Sequence, residues 1–294
     1  MAVIPRDIAL PAPATGRRQR IWRYVRRHPT IVVGTPLLML MIAMAVFAPY
    51  LGTVDPQALA PVRRLKWPSE QDWFGTDMLG RDVYSRVIYG ARVSLTVGIS
   101  VAIASTSLGL LIGVVTGFNR WADAIVMRIM DGLMSIPAIL IAIALMALTR
   151  ASMENVIFAI TVAEVPRVSR LVRGVVLTLR EQPYVEAAFA SGTGTIRVLW
   201  RHIVPNTMPP LLVQGTFITA AAMITEAILS FIGAGTPPNI PSWGNIMAEG
   251  RSLFQVSYYI VLFPGIMLSI TVLAVNLLGD GLRDALDPRL ARRM

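Results

Sequence analysis

Six long apolar stretches dominate this sequence and limit what the chain can fold into. A helix that crosses the hydrocarbon core of a bilayer, about 30 Å thick, needs about 20 mostly apolar residues. Only 15% of the residues are charged and the mean hydropathy is +0.60, whereas a soluble domain has roughly 25% charged residues. We therefore predict an all-α, polytopic integral membrane protein with six transmembrane helices. The predicted spans are Ile31–Tyr50, Ser94–Gly117, Met130–Leu148, Asn155–Val175, Leu211–Gly233 and Tyr258–Leu278.

Two of the six stretches are less regular than the others. The third contains Asp131 and Pro137, and the fourth contains Glu164, Pro166 and Arg167, so the sequence defines their ends poorly. The first stretch is longer than the roughly 7–15 apolar residues usual in a signal peptide. We therefore expect it to stay in the chain as an uncleaved first helix.

The basic residues indicate the orientation of the chain. The net charge is +10 and Lys66 is the only lysine. The arginines cluster beside apolar runs, which argues against a nucleic-acid partner and for a cytoplasmic location of the segments "RRQRIWRYVRRHP" and "DPRLARRM". Six crossings agree with this orientation, which places Glu186–Asn206 in the cytoplasm and Leu51–Val93 outside. The predicted parts are a cytoplasmic tail at 1–29, a first transmembrane helix at 30–50, an external loop with a short helix at 51–93, a five-helix core at 94–279 and a cytoplasmic tail at 280–294.

Several kinds of chemistry are excluded by residue content. The chain has no cysteine, and His28 and His202 are too few for a histidine-built metal site. No glycine-rich loop precedes Lys66, so the chain has no phosphate-binding loop of the GxxxxGKS or GxxxxGKT type. We expect no metal and no cofactor here, and any ATP must be bound by another chain. No two carboxylates lie at matched depth on adjacent predicted helices, so we predict that the chain is not an intramembrane enzyme.

The segment "EAAFASGTGTIRVLWRHIVPN", Glu186–Asn206, is too polar to cross a bilayer and too long for an ordinary connection between helices. Its small residues Ala187, Ala188 and Ala190 would let a short helix be buried in a groove of a partner protein. Lipid headgroups are the alternative surface for such a helix, but alanine and glycine are poor lipid anchors. We therefore predict a docking segment.

Two glycines and a proline shape this segment. Gly192 and Gly194 permit a sharp bend with positive φ. An amphipathic turn, Ile196–Ile203, follows, and we expect Pro205 to end it before the next span. Such a segment can transmit rigid-body motion from a soluble motor protein to membrane helices.

The "EAA" sequence, with Gly192 and Pro205 behind it, resembles the EAA loop of ABC-importer permease subunits. Other stretches resemble signatures of the second, or "C"-type, permease of dipeptide and oligopeptide importers. They are "WFGTDMLGRDVYSRVIYGARVSL", "RLVRGVVLTLREQPYVEAA", "SFIGAGTPPNIPSWGNIMAEGR" and "GDGLRDALDPRLARRM". The resemblance covers nearly the whole chain after about Arg20. It departs from the usual pattern at His202, where a hydrophobic residue is usual, and at Val204, where leucine is usual.

The resemblance implies a type I ABC importer permease fold in the bacterial cytoplasmic (inner) membrane. It also implies a set of partners: a second homologous permease, two cytoplasmic ATPases that bind ATP and Mg, an external substrate-binding protein and membrane lipid. The expected cargo is a dipeptide or an oligopeptide. A nickel chelate or glutathione is the alternative within the family, and an ion-coupled secondary transporter is the alternative outside it.

The same resemblance implies that residues 178–208 form the loop that couples the permease to an ATPase. Within this loop, Glu186 could pair with an arginine of the ATPase or cap its own short helix. The residues expected to form the coupling loop are Tyr184, Glu186, Ala187, Ala188, Gly192, Ile196, Leu199 and Pro205.

A small residue occurs at every fourth position of the second span, at Ser105, Gly109, Gly113 and Gly117. On a helix these residues line one face and allow another helix to approach closely. The approaching helix could belong to this subunit or to a second one.

Charged residues at helical spacing are expected to pair. The predicted pairs are Asp77 with Arg81 and Asp82 with Arg86 on the surface of an external helix, and Arg128 with Asp131 near the cytoplasmic end of the third span. Glu226 differs from them, because it lies deep in the fifth span with no basic residue one turn away. An intramembrane carboxylate faces the bundle interior by default. Glu226 is therefore expected to line the translocation path or to pack against a polar residue of the partner subunit.

Overall fold

A computed structural model describes residues 29–286 of the chain, and helices make up all of its long elements. Between these limits the only β structure is an isolated bridge between Thr76 and Asp82. The prediction of an all-α protein is confirmed. The helices are α1 Pro29–Val46, α2 Val83–Phe118, α3 Arg120–Met134, α4 Ala138–Ala147, α5 Met153–Arg180, α6 Pro183–Ala190, α7 Thr195–Phe231, α8 Trp243–Gly250 and α9 Tyr259–Leu286.

Four of the described helices, α1, α2, α7 and α9, are long and apolar enough to cross a membrane. Together, α3 and α4 make a fifth candidate, although they meet at an angle of 89°. The predicted fourth span lies in α5, which has 28 residues but too many charges to qualify by composition. Length and composition therefore support four or five of the six predicted spans. The predicted cytoplasmic tails lie outside the described residues, apart from Pro29 and residues 280–286.

The third predicted span, Met130–Leu148, is not one straight helix. The chain leaves α3 after Met134 and re-enters a helix only at Ala138, with Pro137 as the extended N-cap residue (φ −52°, ψ 130°). Proline lacks an N–H and its ring clashes with the preceding turn of a helix. Pro137 therefore separates α3 from α4 and gives the sharp bend between them.

The stripe of small residues on α2 packs against α5 of the same subunit. Ser105 is fully buried, and its hydroxyl donates to the carbonyl of Val101 at 2.7 Å. A Cβ atom added to any of the three glycines would lie far inside van der Waals contact. The closest approaches would be 2.4 Å from Gly109 to Val168, 2.6 Å from Gly113 to Val172 and 2.4 Å from Gly117 to Val176. Of the two alternatives for this stripe, the structure shows packing within the subunit.

A cluster of four charges, three of them buried, joins α2 to α8 near the start of α2. Arg86 is 1% exposed and contacts Asp77 (Nη1–Oδ2, 2.6 Å) and Glu249 (Nη2–Oε1, 2.9 Å). Arg81 contacts the same two carboxylates, at 2.6 and 2.5 Å. The predicted pair of Asp77 with Arg81 does form, but it is buried and precedes the helix. The expectation of a surface pair is therefore wrong.

The predicted pair of Asp82 with Arg86 does not form. Asp82 is instead the N-cap residue of α2, and its carboxylate accepts a hydrogen bond from the backbone N–H of Ser85 at 2.8 Å. The helix α2 begins at Val83 and not near Ser94, so Asp82 directly precedes its first residue. An acidic N-cap residue stabilises the free backbone N–H groups of the first turn. The predicted external helix is the first part of α2.

Residues 51–82 and α8 form a layer that we call the outer cap, after the external location predicted for residues 51–93. The hydroxyl of Tyr259 lies 2.9 Å from the carbonyl oxygen of Lys66 and 3.0 Å from that of Thr76. The indole N–H of Trp243, a fully buried residue, donates to the carbonyl of Val87 at 3.0 Å. These bonds tie the outer cap to α2 and α9.

At the opposite end of the bundle, α3 is tied to α5 by two ion pairs. Asp131 pairs with Arg170, and Asp123 pairs with Arg173 (Nη2–Oδ2, 2.7 Å). The predicted pair of Arg128 with Asp131 is therefore wrong. Asp131 has an arginine of the neighbouring helix within reach and pairs across the interface instead of along its own helix.

The α2–α5 contact predicts an unequal effect of two glycine substitutions. Gly113→Ala should lower the free energy of unfolding by about 1–3 kcal/mol, because the added methyl group overpacks the contact with Val172. The matched control is Gly174→Ala on α5, where a Cβ atom has nothing within 4 Å; the higher helix propensity of alanine should stabilise this variant by up to about 1 kcal/mol. Thermal unfolding of the detergent-solubilised protein measures both. Equal stability of the two variants would contradict the packing.

Candidate functional site

The predicted docking segment begins with the short helix α6, directly after α5. Pro183 occupies the first turn of α6 and follows an extended Gln182 (φ −81°, ψ 139°). A proline at this position has its φ set for a helix and needs no hydrogen-bond partner for its nitrogen. The alanines that follow have the highest helix propensity. The local sequence therefore accounts for a helix of eight residues between two longer ones.

A tight C-terminal cap ends α6. Gly192 has φ +80°, its N–H donates to the carbonyl of Phe189 at 2.9 Å, and the N–H of Thr193 donates to the carbonyl of Ala188 at 3.1 Å. This pair of bonds is the Schellman motif, in which glycine supplies the left-handed residue. The bend predicted at Gly192 is confirmed. Gly194 is different, with φ −66° and ψ 150°, so the expectation of a positive φ there is wrong.

The helix that follows does not stop at Pro205. From Thr195 to Phe231 the chain is continuously helical, with a π-helical turn at Leu199–Ile203 that ends two residues before Pro205. In a π turn the hydrogen bonds run from residue i+5 to residue i, so the bonding register changes where Pro205 has no N–H to offer. The prediction that Pro205 separates the segment from the fifth span is wrong.

One face of the segment is fixed to the helix bundle. Val185, Val198 and Ile203 are each 0% exposed and belong to the hydrophobic core formed with α2, α4, α5 and α7. Ala188 and Leu199 are partly buried against the same core. The segment is thus held in place by apolar packing on its inner side.

The other face of the segment is exposed and rich in large apolar side chains. We call this surface the coupling face, after the role that the resemblance implies. Its apolar residues are Tyr184, Phe189, Ile196 and Trp200, which are 43%, 38%, 73% and 71% exposed. Of the other predicted coupling residues, Glu186, Ala187, Gly192 and Pro205 are exposed as well. The sequence reasoning missed Phe189 and Trp200. The spacing of Ile196 and Trp200, four residues apart, is the signal that could have found the latter.

Glu186 lies on the coupling face in the first turn of α6. Within residues 29–286 its carboxylate makes neither an ion pair nor a hydrogen bond, and α6 has no side-chain cap. The alternative role of Glu186 as a cap of its own helix is therefore not observed. A negative charge at this end of a helix is favourable and is available to a positively charged partner.

Glu226 lies at the other end of α7, where it is completely buried in its own subunit. Its Oε1 atom accepts a hydrogen bond from the hydroxyl of Ser230 at 2.8 Å and lies 3.5 Å from the hydroxyl of Thr236. Its Oε2 atom has no partner among the described residues. Glu226 thus faces neither an open path nor the subunit surface in this conformation, in contrast to both predicted alternatives.

The loop after α7 folds back over Glu226 and is held there by Asn245 of α8. The side-chain amide of Asn245 lies within hydrogen-bond distance of the carbonyl oxygens of Thr236, Pro237 and Ile240, at 3.2, 3.0 and 3.1 Å. Gly233, with φ +85°, makes the reversal possible. We call Glu226, Ser230, Thr236 and Asn245 the outer polar network.

The sequence of the chain matches two known families. Residues 105–292 match the family described as the binding-protein-dependent transport system inner membrane component, and residues 16–72 match the N-terminal transmembrane domain of oligopeptide transport permease C. The first match covers more than half of the chain. The chain therefore belongs to the family of inner membrane components of binding-protein-dependent transport systems.

Three relatives of the chain are named as permeases of peptide, dipeptide and glutathione transport systems. The chain is 53% identical over 271 residues to a "probable peptide ABC transporter permease protein" of Sinorhizobium fredii, covering 92% of this chain and 93% of that protein. It is 38% identical to a dipeptide transport system permease protein of Alkalihalophilus pseudofirmus, over 92% and 89% of the two chains. It is 39% identical to a glutathione transport system permease protein of Pectobacterium atrosepticum, over 92% and 91%.

A solved structure shares the fold. An inward-facing conformation of the MetNI methionine ABC transporter superposes with a TM-score of 0.57 at 21% identity, covering 69% of this chain and 96% of that chain. At this identity the likeness concerns the fold alone. The fold is that of a type I ABC importer permease, as the sequence predicted.

The outer polar network predicts different effects of two substitutions of Glu226. Glu226→Ala should lower the free energy of unfolding by about 1–3 kcal/mol, because the hydroxyls of Ser230 and Thr236 lose a buried acceptor. Glu226→Gln keeps an acceptor oxygen at the same place and should stay within about 1 kcal/mol of the unsubstituted protein. Thermal unfolding in detergent compares the two. If alanine is tolerated as well as glutamine, the network does not hold the loop.

Proposed function

We propose that this chain is the permease subunit of an ATP-driven importer that carries dipeptides and oligopeptides across the bacterial cytoplasmic membrane. The observation that carries the proposal is the identity of 38–53% to peptide and dipeptide permeases along about nine-tenths of each chain. Glutathione, the cargo named for another relative, is itself a small peptide. Membership of a binding-protein-dependent family favours this function over an ion-coupled secondary transporter.

The proposed complex contains a second homologous permease, two cytoplasmic ATPases and an external substrate-binding protein. ATP and Mg bind to the ATPases, and this chain performs no bond chemistry. The coupling face supports the contact with an ATPase, because it is exposed, apolar at Ile196 and Trp200, and negatively charged at Glu186. Such a surface fits a groove lined by apolar residues with an arginine at its edge.

The continuity of α7 supports a rigid route for the motion. Its 37 residues correspond to about 55 Å of helix. A displacement of the coupling face is therefore passed along the same continuous helix that carries Glu226 at its other end. We propose that closure of the ATPases on the coupling face turns the cavity between the two permeases outward in this way, and that the substrate-binding protein then releases its peptide into it.

We also propose six crossings with both termini in the cytoplasm, with α5 as the crossing that composition does not identify. Its 28 residues span about 42 Å. Its buried valines face α2 and two of its arginines pair with α3. Of the charges of α5, Glu164 is buried and Arg173 is 31% exposed, whereas Arg167 and Arg170 are 56% and 52% exposed.

Single cysteines test this topology, since the chain has none of its own. Glu70 and Ser191 are both exposed, whereas Asp72 is buried and paired with Arg63 and would label poorly. We expect Glu70→Cys to react with a membrane-impermeant thiol reagent in intact cells. Ser191→Cys should react only after the membrane is opened. The reverse pattern would refute the proposed orientation.

Transport by the reconstituted complex tests the function and the coupling together. The unsubstituted complex should take up a labelled dipeptide with ATP, and excess unlabelled oligopeptide should compete more strongly than glutathione or a nickel chelate. Gly192→Val should reduce uptake by roughly tenfold. A β-branched residue in the left-handed backbone conformation costs roughly 1–2 kcal/mol, and this strain should distort the docking helix.

Two further variants complete the test. Gly194→Val is the matched control, because Gly194 is extended and its Cβ position is open; its uptake should stay within about twofold. Glu186→Arg should lower the amount of ATPase that copurifies with the permease. Normal uptake and normal ATPase recovery in both Gly192→Val and Glu186→Arg would rule out the coupling face as the docking site.

A further inference from the structure

A cleft between α3 and α5 carries more positive than negative charge. Its volume is about 340 Å³, and its charged lining consists of Arg128, Arg170, Arg173, Asp123 and Asp131. Three arginines face two aspartates, so the cleft has a net charge of +1. Neither the coupling face nor the outer polar network includes any of these residues.

The two aspartates do not use all the donors of the arginines. Arg173 contacts both carboxylate oxygens of Asp123, so these two side chains form a bidentate ion pair. Arg170 contacts Asp131 through one nitrogen only. No acid of the described residues lies within ion-pair distance of Arg128, which is exposed. Arg128 and Arg170 therefore have free N–H donors at the cleft, and a guanidinium matches the geometry of a phosphate.

The cleft lies close to the end of the bundle that carries the coupling face. Arg180, the last residue of α5, donates to the carbonyl of Gly117 at 3.2 Å, which brings the ends of α2 and α5 together. Arg173 precedes Arg180 by about two helical turns, or about 10 Å. In the orientation proposed above, the cleft therefore lies near the cytoplasmic end of α5, on the side of the inner leaflet.

The other side of α3 is apolar and exposed. Trp121, Ile125 and Ile129 follow one another at intervals of four residues and are 82%, 63% and 56% exposed. Exposed apolar side chains of a membrane helix face the acyl chains of lipid, and tryptophan is enriched at the membrane interface. The apolar row is placed to contact acyl chains while the cleft contacts a headgroup.

We propose that the cleft binds the headgroup phosphate of an anionic phospholipid of the inner leaflet, with Arg128 and Arg170 as donors. The net positive charge favours an anionic lipid over a zwitterionic one, and the apolar row of α3 packs against the acyl chains of the same lipid. The position of the site in the inner leaflet rests on the orientation given under the proposed function, whereas binding of the lipid by the cleft does not.

Retention of lipid by the purified complex tests the site. The complex is delipidated in detergent, incubated with an equal mixture of phosphatidylglycerol and phosphatidylcholine, and the retained lipids are counted by native mass spectrometry. We expect a preference for phosphatidylglycerol of about fivefold or more, which is the effect of about one well-placed arginine. Arg128→Gln should reduce this preference about fivefold. Arg150→Gln, the same change of charge in the α4–α5 connection at the other end of α5, is the matched control and should leave it unchanged.

Further measurements in the same experiment test whether something other than a phospholipid occupies the cleft. Inorganic phosphate should not displace phosphatidylglycerol, because it makes no contact with the apolar row, and Trp121→Ala should weaken the retention of both lipids. The site is refuted by equal retention in Arg128→Gln and Arg150→Gln, by release of the lipid with inorganic phosphate, or by a cross-link from Arg128→Cys to the second permease. Loss of peptide uptake with the lipid preference intact counts against the proposed cargo and not against this site.

Discussion

The close contact between α2 and α5 is the constraint on which the rest of the molecule depends. Four charged residues away from its ends make α5 costly as a free helix in lipid; they are Glu164, Arg167, Arg170 and Arg173. The glycine stripe of α2 lets the two backbones approach until valines of α5 fill the space left by the missing side chains. Glu164 is buried in this arrangement, at 6% exposure, and two of the arginines are paired with α3. The close packing of α2 thus holds α5, the long helix with the most charged residues in its middle, within the bundle.

The coupling face is held in place by the same hydrophobic core that contains the contact between α2 and α5. α5 ends at Arg180, α6 starts at Pro183 and α7 starts at Thr195. Short connections therefore join α6 to the two long helices α5 and α7. The inner side chains of the segment, such as Val185 and Val198, are buried in the core that includes the α2–α5 contact. The Schellman cap at Gly192 leaves little freedom in the turn. A partner that grips this surface therefore moves α5 and α7 with it, and not a flexible loop.

Sequence reasoning predicted those features that depend on neighbouring residues. Apolar runs, the stripe at Gly109 and Gly113, and the positive φ at Gly192 follow from rules that act over a few residues. The pairing of Arg86 with Glu249 could not be predicted in this way, because 163 positions separate them. The expectation for Pro205 failed for a different reason. The proline rule holds for the interior of a regular α-helix, whereas Pro205 follows a π turn and lies in the first turn of the α-helical part Val204–Phe231.

The two ends of α7 differ in the contacts that hold them, and this difference decides which contacts can rearrange when a partner displaces the helix. At the Thr195 end of α7, the coupling face is free on the side that faces away from the core. At the Phe231 end, the polar network of Glu226 and Asn245 joins α7 to the following loop and to α8. Hydrogen bonds of this kind can be exchanged for water at a net cost of only about 1 kcal/mol each, whereas separating the α2–α5 contact would expose apolar groups and leave cavities that cost several kcal/mol. We therefore expect force on the coupling face to rearrange the loop over Glu226 before it disturbs the seam between α2 and α5.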